Sequence, residues 1–337
     1  MSVAFELPPA LEAGAPPEAR GLRRDDVALL VTDARRDTHR VHRFNELASF
    51  LEPRDLVVVN DSATIPAALA ARYQGEEFPL HLSTQVAANL WLVEPRTTRR
   101  FEAGAGLLLA GGATAKLLAP FGIERARLWY AILELPAALD LYLHRHGKPI
   151  TYSYVRRPLP LDAYQTIFAR SAGSVEMPSA GRPFSLRTLQ ELRNRKIDLA
   201  TLTLHCGVAS PERHEPPIME WMELPASTAQ AVNAARAAGK RVVAVGTSVV
   251  RALESAIDRN GDAAAFGGWT EHVVGVEHPP RIVSALVTGF HEPHASHLAM
   301  LEMLASPATL REAYSVALQT RLLWHEFGDV HLILNRG

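Results

Sequence analysis

The stretch RVVAVGTSVVRALES, residues 241–255, places a short apolar, β-branched run directly before Gly246, Thr247 and Ser248, and an amphipathic run after them. The first run is typical of a buried strand and the second of a helix. The start of such a helix presents free backbone amides, which bind a carboxylate or phosphate well. The alternative is a simple Thr/Ser helix cap. The glycines do not form a GxGxxG pattern, so a dinucleotide site is not indicated.

The same alternation of helix and strand continues on both sides of this stretch. Further strands are predicted for DVALLVTD (26–33), RDLVVVND (54–61), RIVSALVTGF (281–290) and VHLILN (330–335). Helices are predicted for RFNELASFLEP (43–53), ASTAQAVNAARAAGK (226–240), HLAMLEMLA (297–305) and ATLREAYSVALQT (308–320). This alternation predicts an α/β main domain.

Between residues 65 and 150 the pattern changes to short alternating segments separated by glycines and charged turns, such as FPLHLSTQ (78–85) and NLWLVEP (89–95). This spacing predicts a small β-barrel or meander. The fold class is therefore an α/β domain interrupted by an inserted small β-barrel. The predicted boundaries are 1–64 and 151–337 for the two parts of the α/β domain and 65–150 for the insert.

The composition excludes several classes of protein. The chain has 337 residues, of which 47% are hydrophobic and 21% are charged, as in a globular protein with a full core. No apolar run approaches the roughly 18 to 20 residues of a membrane helix, and the first residues lack the pattern of a signal peptide. We therefore expect a cytoplasmic protein. A single cysteine, Cys206, excludes an internal disulfide and is most simply a small buried residue.

Arginine dominates the basic residues, since it accounts for 31 of the 35, although the net charge is only -1. Any one arginine cluster is explained by a solvated face. Several clusters meeting in space would instead form a phosphate-binding stripe. The main clusters are Arg20, Arg23 and Arg24; Arg35, Arg36, Arg40 and Arg43; Arg96, Arg99 and Arg100; Arg125 and Arg127; and Arg156 and Arg157.

Three stretches contain residues able to carry out chemistry. TLTLHCGVASPERHEPPIMEW (201–221) follows a predicted strand and suits a metal, an activated nucleophile or a bound substrate. In FHEPHASH (290–297) the histidines His291, His294 and His297 have metal-ligand spacing, but no carboxylate or further ligand is evident, so we predict no metal. SVEMPSAGRPFS (174–185) reads as a tight turn that either approaches a ligand or is only a turn.

These stretches, in chain order, carry a resemblance to a known family. DLVVVNDSATIPAAL, YQTIFARSAGSVEMPSAGRPFS, LTLHCG, VVAVGTSVVRALESA, LVTGFHEPHASHLAML and HEFGDVHLIL together resemble the S-adenosylmethionine:tRNA ribosyltransferase-isomerase family of queuosine biosynthesis. The resemblance extends from about residue 5 to residue 334. It implies the same fold, an α/β domain with an inserted β-barrel.

The resemblance also implies a reaction. The ribosyl part of S-adenosylmethionine is transferred and isomerised onto the aminomethyl group of a 7-deazaguanine in the tRNA anticodon, which gives epoxyqueuosine and releases adenine and methionine. S-adenosylmethionine is then a co-substrate, and no metal or other cofactor is expected. The chemistry needs a base near the ribose, a proton donor for adenine, and groups that hold the methionine carboxylate.

The motifs that match the family also imply which residues form the site. His205, at the end of a strand, is implied to be a general acid or base, with a purely structural histidine as the alternative. His291 is implied to be a second catalytic or substrate-orienting residue. Other positions are implied to bind substrate: Ser179, Ala180 and Gly181 near the nucleoside, Glu220 at the family's acidic position, and Gly246, Thr247, Ser248 and Arg251 at the anionic methionine or ribose end.

The departures from the family pattern fall in the loops. Ala63 and Ala68 replace two arginines of NNTRVIPARL, and EMPSAGRPF, in place of AAPTAGLHF, gains Glu176 and Arg182. TNFHLPxSTL becomes TGFHEPHASHL, and His214 lies in a shortened segment. These changes leave two alternatives to the tRNA reaction. One is an S-adenosylmethionine-consuming enzyme with a different, small-molecule acceptor, and the other is a non-catalytic RNA-binding or ligand-sensing protein. The sequence does not indicate the oligomeric state.

Overall fold

The computed structural model describes residues 5–122, 127–208, 218–275, 278–293 and 295–335. Its main feature is a nine-stranded mixed sheet. The strands of this sheet are β1 (Ala28–Asp33), β2 (Thr38–Arg43), β3 (Leu56–Asn60), β12 (Asp198–Leu204), β13 (Glu220–Leu224), β14 (Val242–Val245), β15 (Phe266–Thr270), β16 (Ala285–Gly289) and β17 (Val330–Leu334), and their spatial order is β15-β13-β12-β3-β14-β16-β17-β1-β2.

Four neighbouring strands at the centre of the sheet, β12, β3, β14 and β16, are parallel to one another. Every residue of β3 and β14 is buried, as expected for parallel strands covered on both faces. Alternate side chains point to opposite faces, so Leu56 and Val58 join one hydrophobic cluster while Val57 and Val59 join another. The carboxyl ends of these four strands lie at one edge of the sheet.

Helices cover both faces of the sheet. These helices are α2 (Leu186–Asn194), α3 (Ala226–Ala237), α4 (Thr247–Ser255), α5 (Ser296–Leu301) and α6 (Pro307–Gln319), whereas α1 (Leu139–His146) packs against the core of the insert described below. Helix α4 buries Val249, Val250 and Leu253 in the same hydrophobic cluster as Leu56. It begins at Gly246, whose φ of 92° lies in a region that favours glycine.

The insert is a closed six-stranded antiparallel barrel. Its strands are β5 (Ala68–Tyr73), β6 (Glu76–Gln85), β7 (Leu90–Pro95), β8 (Gly106–Leu109), β9 (Thr114–Pro120) and β10 (Trp129–Glu134). Leu80, Leu82 and Leu117 fill its interior with no exposed surface. Closure removes the exposed strand edges that an open sheet would leave. The chain enters and leaves the barrel side by side, because Ala68 and Lys148 exchange two backbone hydrogen bonds of 2.8 and 2.9 Å.

The predicted fold class, an α/β domain with an inserted β-barrel, is confirmed. The boundaries 1–64, 65–150 and 151–337 stay a prediction. The segment predicted as a helix at 43–53 is a 3-10 helix, Phe44–Phe50. A three-residue spacing of buried side chains, Phe44 and Leu47, suits a helix with three residues per turn. A small parallel ribbon of β4 (Ser62–Thr64) and β11 (Ser171–Ser174) was not predicted.

Candidate active site

A cavity of about 840 Å³ lies at the carboxyl edge of the parallel strands. Ligands of open α/β sheets bind outside this edge, where the loops after successive strands meet. One side of the cavity lining packs against the barrel core, through Ile150 and Ile218. Eight of the predicted site residues line the cavity: Ser179, Ala180, Glu220, Gly246, Thr247, Ser248, Arg251 and His291. Two predicted residues, His205 and Gly181, are not among the lining residues.

His205 follows β12, but it is not one of the residues that line the cavity. Nδ1 forms a hydrogen bond of 2.8 Å with the hydroxyl of Ser62, and the ring stacks on Trp221 at 5.4 Å. A Cβ at Gly173 would lie 2.6 Å from the ring, so only glycine fits there. Burial lowers the pKa of His205, against the opposing effect of Asp61. The acid/base role of His205 stays a prediction.

Hydrogen bonds connect His205 to the cavity lining. Ser62 also accepts a hydrogen bond of 2.7 Å from the hydroxyl of Ser174, which in turn accepts one of 2.9 Å from the backbone amide of Cys206. Cys206 and Gly207 line the cavity. Burial raises the pKa of the Cys206 thiol to about 12, so this thiol is not an activated nucleophile. His205 is therefore placed to hold the loop that follows β12.

Glu220 and Arg251 form a buried ion pair beside this loop. Glu220 also accepts a hydrogen bond of 2.9 Å from the amide of Gly207. The guanidinium of Arg251 makes three more hydrogen bonds, to the carbonyl oxygens of Ile218, Thr270 and His272. Arg251 therefore joins α4 to the neighbouring strands. Its predicted contact with an anionic substrate stays a prediction.

The start of α4 faces the cavity through Gly246, Thr247 and Ser248. Within the described part of the chain, no side chain caps this helix. A Cβ at Gly246 would lie 3.4 Å from that of Ala180, so the turn at Ser179–Gly181 packs directly against the helix start. The first amides of α4 are therefore available to a carboxylate in the cavity.

Asn60, at the end of β3, was not selected from the sequence. Its side-chain oxygen accepts hydrogen bonds of 3.0 Å from the amides of Ser62 and Leu204, and its amide group donates to the carbonyl of Leu204 and, at 3.4 Å, to the hydroxyl of Ser248. Asn60 is 3% exposed, and it fixes three strand ends relative to one another. Its position near the end of a predicted strand was the available signal.

His291, after β16, lines the cavity and forms a hydrogen bond of 2.9 Å through Nε2 with Thr288. Its ring stacks on that of His297, with ring centres 5.0 Å apart. Burial holds the pKa of His291 well below its usual value, and burial with the nearby Arg251 lowers that of His297 to about 4. Both imidazoles are therefore neutral at pH 7.

His294 and His214 lie outside the described residues. Among the residues described, a group with the geometry to hold a metal ion is formed by Asp37, His39 and Glu312, and none of these lines the cavity. The prediction of no metal at His291 and His297 stays a prediction.

Four further residues of the cavity lining were missed by sequence reasoning: Tyr152, Tyr154, His325 and Glu326. The hydroxyl of Tyr154 donates to Glu326, which is 172 residues away in the chain. Tyr152 donates to Glu176, one of the residues gained relative to the family pattern. Two local signals were available: alternate residues of an extended segment share a face, as the tyrosines of TYSY (151–154) do, and His325 and Glu326 begin the matched motif HEFGDVHLIL.

The arginine clusters are partly neutralised. Arg24 pairs with Glu18 at 3.1 Å, and Arg99 pairs with Glu76 at 2.9 Å. Arg182, which departs from the family pattern, is buried and pairs with Glu18 at 3.0 Å. Arg125 lies outside the described residues. None of the helices in the described part of the chain has the length and apolarity to cross a membrane.

Comparison with known proteins agrees with this architecture. The family model described as queuosine biosynthesis protein matches residues 1–333. The S-adenosylmethionine:tRNA ribosyltransferase-isomerase of Thermus thermophilus is 34% identical over 338 residues, which cover 95% of this chain and 97% of that protein. The protein of the same name from Thermosynechococcus vestitus is 32% identical over 341 residues, with coverage of 98% and 94%.

A solved structure is also similar. The crystal structure of S-adenosylmethionine tRNA ribosyltransferase from Thermotoga maritima is 25% identical, with a TM-score of 0.56 and coverage of 98% of this chain and 99% of that one. These features define an α/β enzyme with an inserted barrel and with a substrate-sized cavity at the carboxyl edge of the sheet. The chain belongs to the queuosine biosynthesis protein family. The resemblance seen in its motifs is confirmed.

Proposed function

We propose that this chain is an S-adenosylmethionine:tRNA ribosyltransferase-isomerase. It transfers and isomerises the ribosyl part of S-adenosylmethionine onto the 7-aminomethyl-7-deazaguanine of tRNA, gives epoxyqueuosine, and releases adenine and methionine. The observation that carries the proposal is the full-length similarity to enzymes of that name, together with a cavity lined by the matching motif residues. A tRNA substrate places the enzyme in the cytoplasm.

The start of α4 supports binding of the methionine carboxylate. Gly246, Thr247 and Ser248 present the first amides of the helix to the cavity. A helix N-terminus favours an anion by about 0.3 to 1 kcal/mol when exposed and by up to about 2 kcal/mol when partly buried. The turn at Ser179–Gly181 packs against this helix start and is placed to contact the nucleoside part of the same substrate.

His291 is the acid/base residue that the cavity supports. A neutral imidazole is able to remove a ribose C5′ proton, which the adjacent sulfonium acidifies, or a proton of the acceptor ammonium. His205 acts through Ser62 and Ser174 on the loop after β12, as a positioning residue. Glu220 and Arg251 hold the same loop from the other side.

The deciding experiment measures adenine and methionine released from S-adenosylmethionine. The protein is incubated with and without tRNA that carries 7-aminomethyl-7-deazaguanine. The proposal predicts stoichiometric adenine release only when that tRNA is present. Unchanged S-adenosylmethionine after incubation with the modified tRNA would contradict it.

A second candidate is an S-adenosylmethionine-consuming enzyme of the same fold with a small-molecule acceptor. It is favoured by Ala63 and Ala68, which replace two arginines of the family pattern beside the junction with the barrel. Loss of two cations there weakens attraction for a polyanionic RNA. This enzyme would release adenine with a small amine alone. A non-catalytic protein would bind ligand and release no adenine.

A further inference from the structure

An aromatic series lines one part of the cavity, formed by Tyr152, Tyr154 and His325. Tyr154 stacks face to face on His325, with ring centres 3.9 Å apart and planes 4° apart. Tyr152 stacks on Tyr154 with a centre distance of 5.9 Å and an angle of 23°. All three residues line the cavity. Such a series offers a planar apolar surface of the kind that binds a flat heterocycle.

A buried carboxylate adjoins the aromatic series. One oxygen of Glu326, Oε2, accepts a hydrogen bond from the hydroxyl of Tyr154. Among the described residues, no other side chain donates a hydrogen bond to Glu326 or forms an ion pair with it. Burial raises the pKa of Glu326, because a buried carboxylate lacks the solvation that its charge requires.

His325 brings further negative charge to the aromatic series, because two glutamates face its ring. Its side chain is 7% exposed, and Nε2 makes no hydrogen bond within the described residues. That nitrogen faces Glu12 at 3.6 Å, and Nδ1 faces Glu292 at 3.8 Å. His325 therefore lies between two carboxylates, of which that of Glu292 lines the cavity.

The charge of this part of the cavity selects the kind of ligand. Glu176, Glu292 and Glu326 line it, and Arg182, whose charge acts on Glu326, is already paired with Glu18 at 3.0 Å. A ligand cation next to a flat ring would satisfy both the carboxylate and the aromatic series. S-adenosylmethionine satisfies this pair of groups less well, because its adenine is neutral, its sulfonium has no N–H to donate to a carboxylate, and its ammonium is attached to the carboxylate proposed to lie at α4.

We propose that Glu326 binds the protonated aminomethyl group of the acceptor, whose heterocycle packs against Tyr152 and Tyr154. This inference rests on the proposed function, since it takes an aminomethyl-deazaguanine as the acceptor. Glu326 is then a specificity-determining residue, and Tyr154 positions its carboxylate. Glu176 holds Tyr152 in the same way. A charge-assisted hydrogen bond in a buried site is about twice as strong as a neutral one. A ligand with an ammonium should therefore bind about tenfold or more tightly than one with a neutral group in the same place.

The test compares two anticodon stem-loop RNAs, one carrying 7-aminomethyl-7-deazaguanine and the other its neutral isostere 7-hydroxymethyl-7-deazaguanine. Binding is measured for the full chain saturated with S-adenosylmethionine. The two free bases are measured in parallel, so that a small-molecule acceptor is also covered. We expect the wild-type protein to bind the aminomethyl compound at least tenfold more tightly than the hydroxymethyl compound.

Two variants identify the residue responsible. Glu326→Gln is isosteric and keeps an acceptor for Tyr154, and it should abolish the tenfold preference while leaving the Kd for S-adenosylmethionine within twofold. Tyr154→Phe should reduce the preference in part. Glu223→Gln, an exposed glutamate on β13 that does not line the cavity, is the matched control and should keep the full preference. Thermal melting confirms that each variant is folded.

The outcomes separate this inference from the proposed function. The inference is wrong if folded Glu326→Gln still binds the aminomethyl compound more tightly than the hydroxymethyl compound. It is also wrong if the wild-type protein shows no such preference. Weaker S-adenosylmethionine binding by Glu326→Gln also overturns it, because the carboxylate of Glu326 would then bind S-adenosylmethionine and not the acceptor amine. Adenine release with no preference for the amine leaves the proposed function intact. A preference for the amine without adenine release from any acceptor supports the amine site and overturns the proposed reaction.

Discussion

Glu220 and Arg251 form an ion pair that is about nine-tenths buried and joins the loop after β12 to the middle of helix α4. Removing the cation leaves a buried carboxylate without a countercharge, which typically costs about 3 to 5 kcal/mol. We therefore expect Arg251→Ala to lower the free energy of unfolding by roughly that amount. Denaturant unfolding and the Kd for S-adenosylmethionine, measured on one preparation, check this.

Arg236→Ala is the matched control for Arg251→Ala. Arg236 pairs with Asp262 at 3.2 Å on the surface, where an ion pair contributes about 0 to 1 kcal/mol. The sequence-based expectation for Arg251 was direct contact with the anionic end of the substrate. Unchanged stability combined with roughly tenfold weaker binding would support that contact and contradict the structural role.

His205 is expected to act through its neighbours. Since the imidazole reaches Ser62 and not the cavity, His205→Ala should lower kcat about tenfold and leave the shape of the pH profile unchanged. Ser62→Ala removes the same hydrogen bond and should have an effect of similar size. A loss of about 10² to 10⁴ in His205→Ala alone, with one limb of the pH profile gone, would instead establish a general acid or base.

Much of the fold was predictable because it depends on local patterns. The runs LVVV and VVAV are wholly apolar and rich in β-branched valine, and these residues form buried parallel strands. Strand β2, THRVHR, was not predicted, because its polar residues carry no apolar alternation and its pairing with β1 is a tertiary contact. Edge strands are often of this charged kind.

The site was predictable only where it lies next to a predicted strand end. Gly246 and His291 follow β14 and β16, and both line the cavity as the motifs implied. The direction of the His205 side chain depends on Ser62 and Trp221, which the sequence does not place beside it. The contact between Tyr154 and Glu326 depends on segments that meet only in the folded chain.

His291 should remain active as a base at mildly acidic pH. Because burial holds its pKa well below the usual value of 6.5, the imidazole stays neutral as the pH falls through that value. We expect kcat/KM to stay level between about pH 8 and pH 6, and His291→Ala to lower kcat by about 10² to 10⁴. An acid limb centred near pH 6.5 that disappears in His291→Ala would show that the site does not lower this pKa. Exposed His144 on α1, changed to Ala, is the control.

Chelation should leave the activity intact. The reaction as proposed needs proton transfer and no Lewis acid, and the described groups with metal-binding geometry include only residues outside the cavity lining, Asp37, His39 and Glu312. Activity is measured before and after dialysis against a chelator, and bound metal is quantified by mass spectrometry. Stoichiometric zinc, with activity that is lost on its removal and restored on its return, would refute the prediction.

The stability of the folded chain should fall with acidity because His331 is buried in its neutral form. This imidazole has no exposed surface and forms a hydrogen bond of 2.8 Å with Thr32, and burial lowers its pKa from 6.5 to about 3. Between these two values the unfolded chain binds a proton that the folded chain does not, so the stability present above pH 6.5 is lost as the pH falls. At 1.36 kcal/mol per pKa unit, this group alone costs about 3 kcal/mol near pH 4.5. His331→Leu, although less stable at pH 7.5, should therefore show a smaller drop in unfolding free energy between pH 7.5 and 4.5 than the wild-type protein. The same change at exposed His144 should leave the drop unaltered, and equal drops in His331→Leu and the wild type would mean that His331 does not set the acid sensitivity.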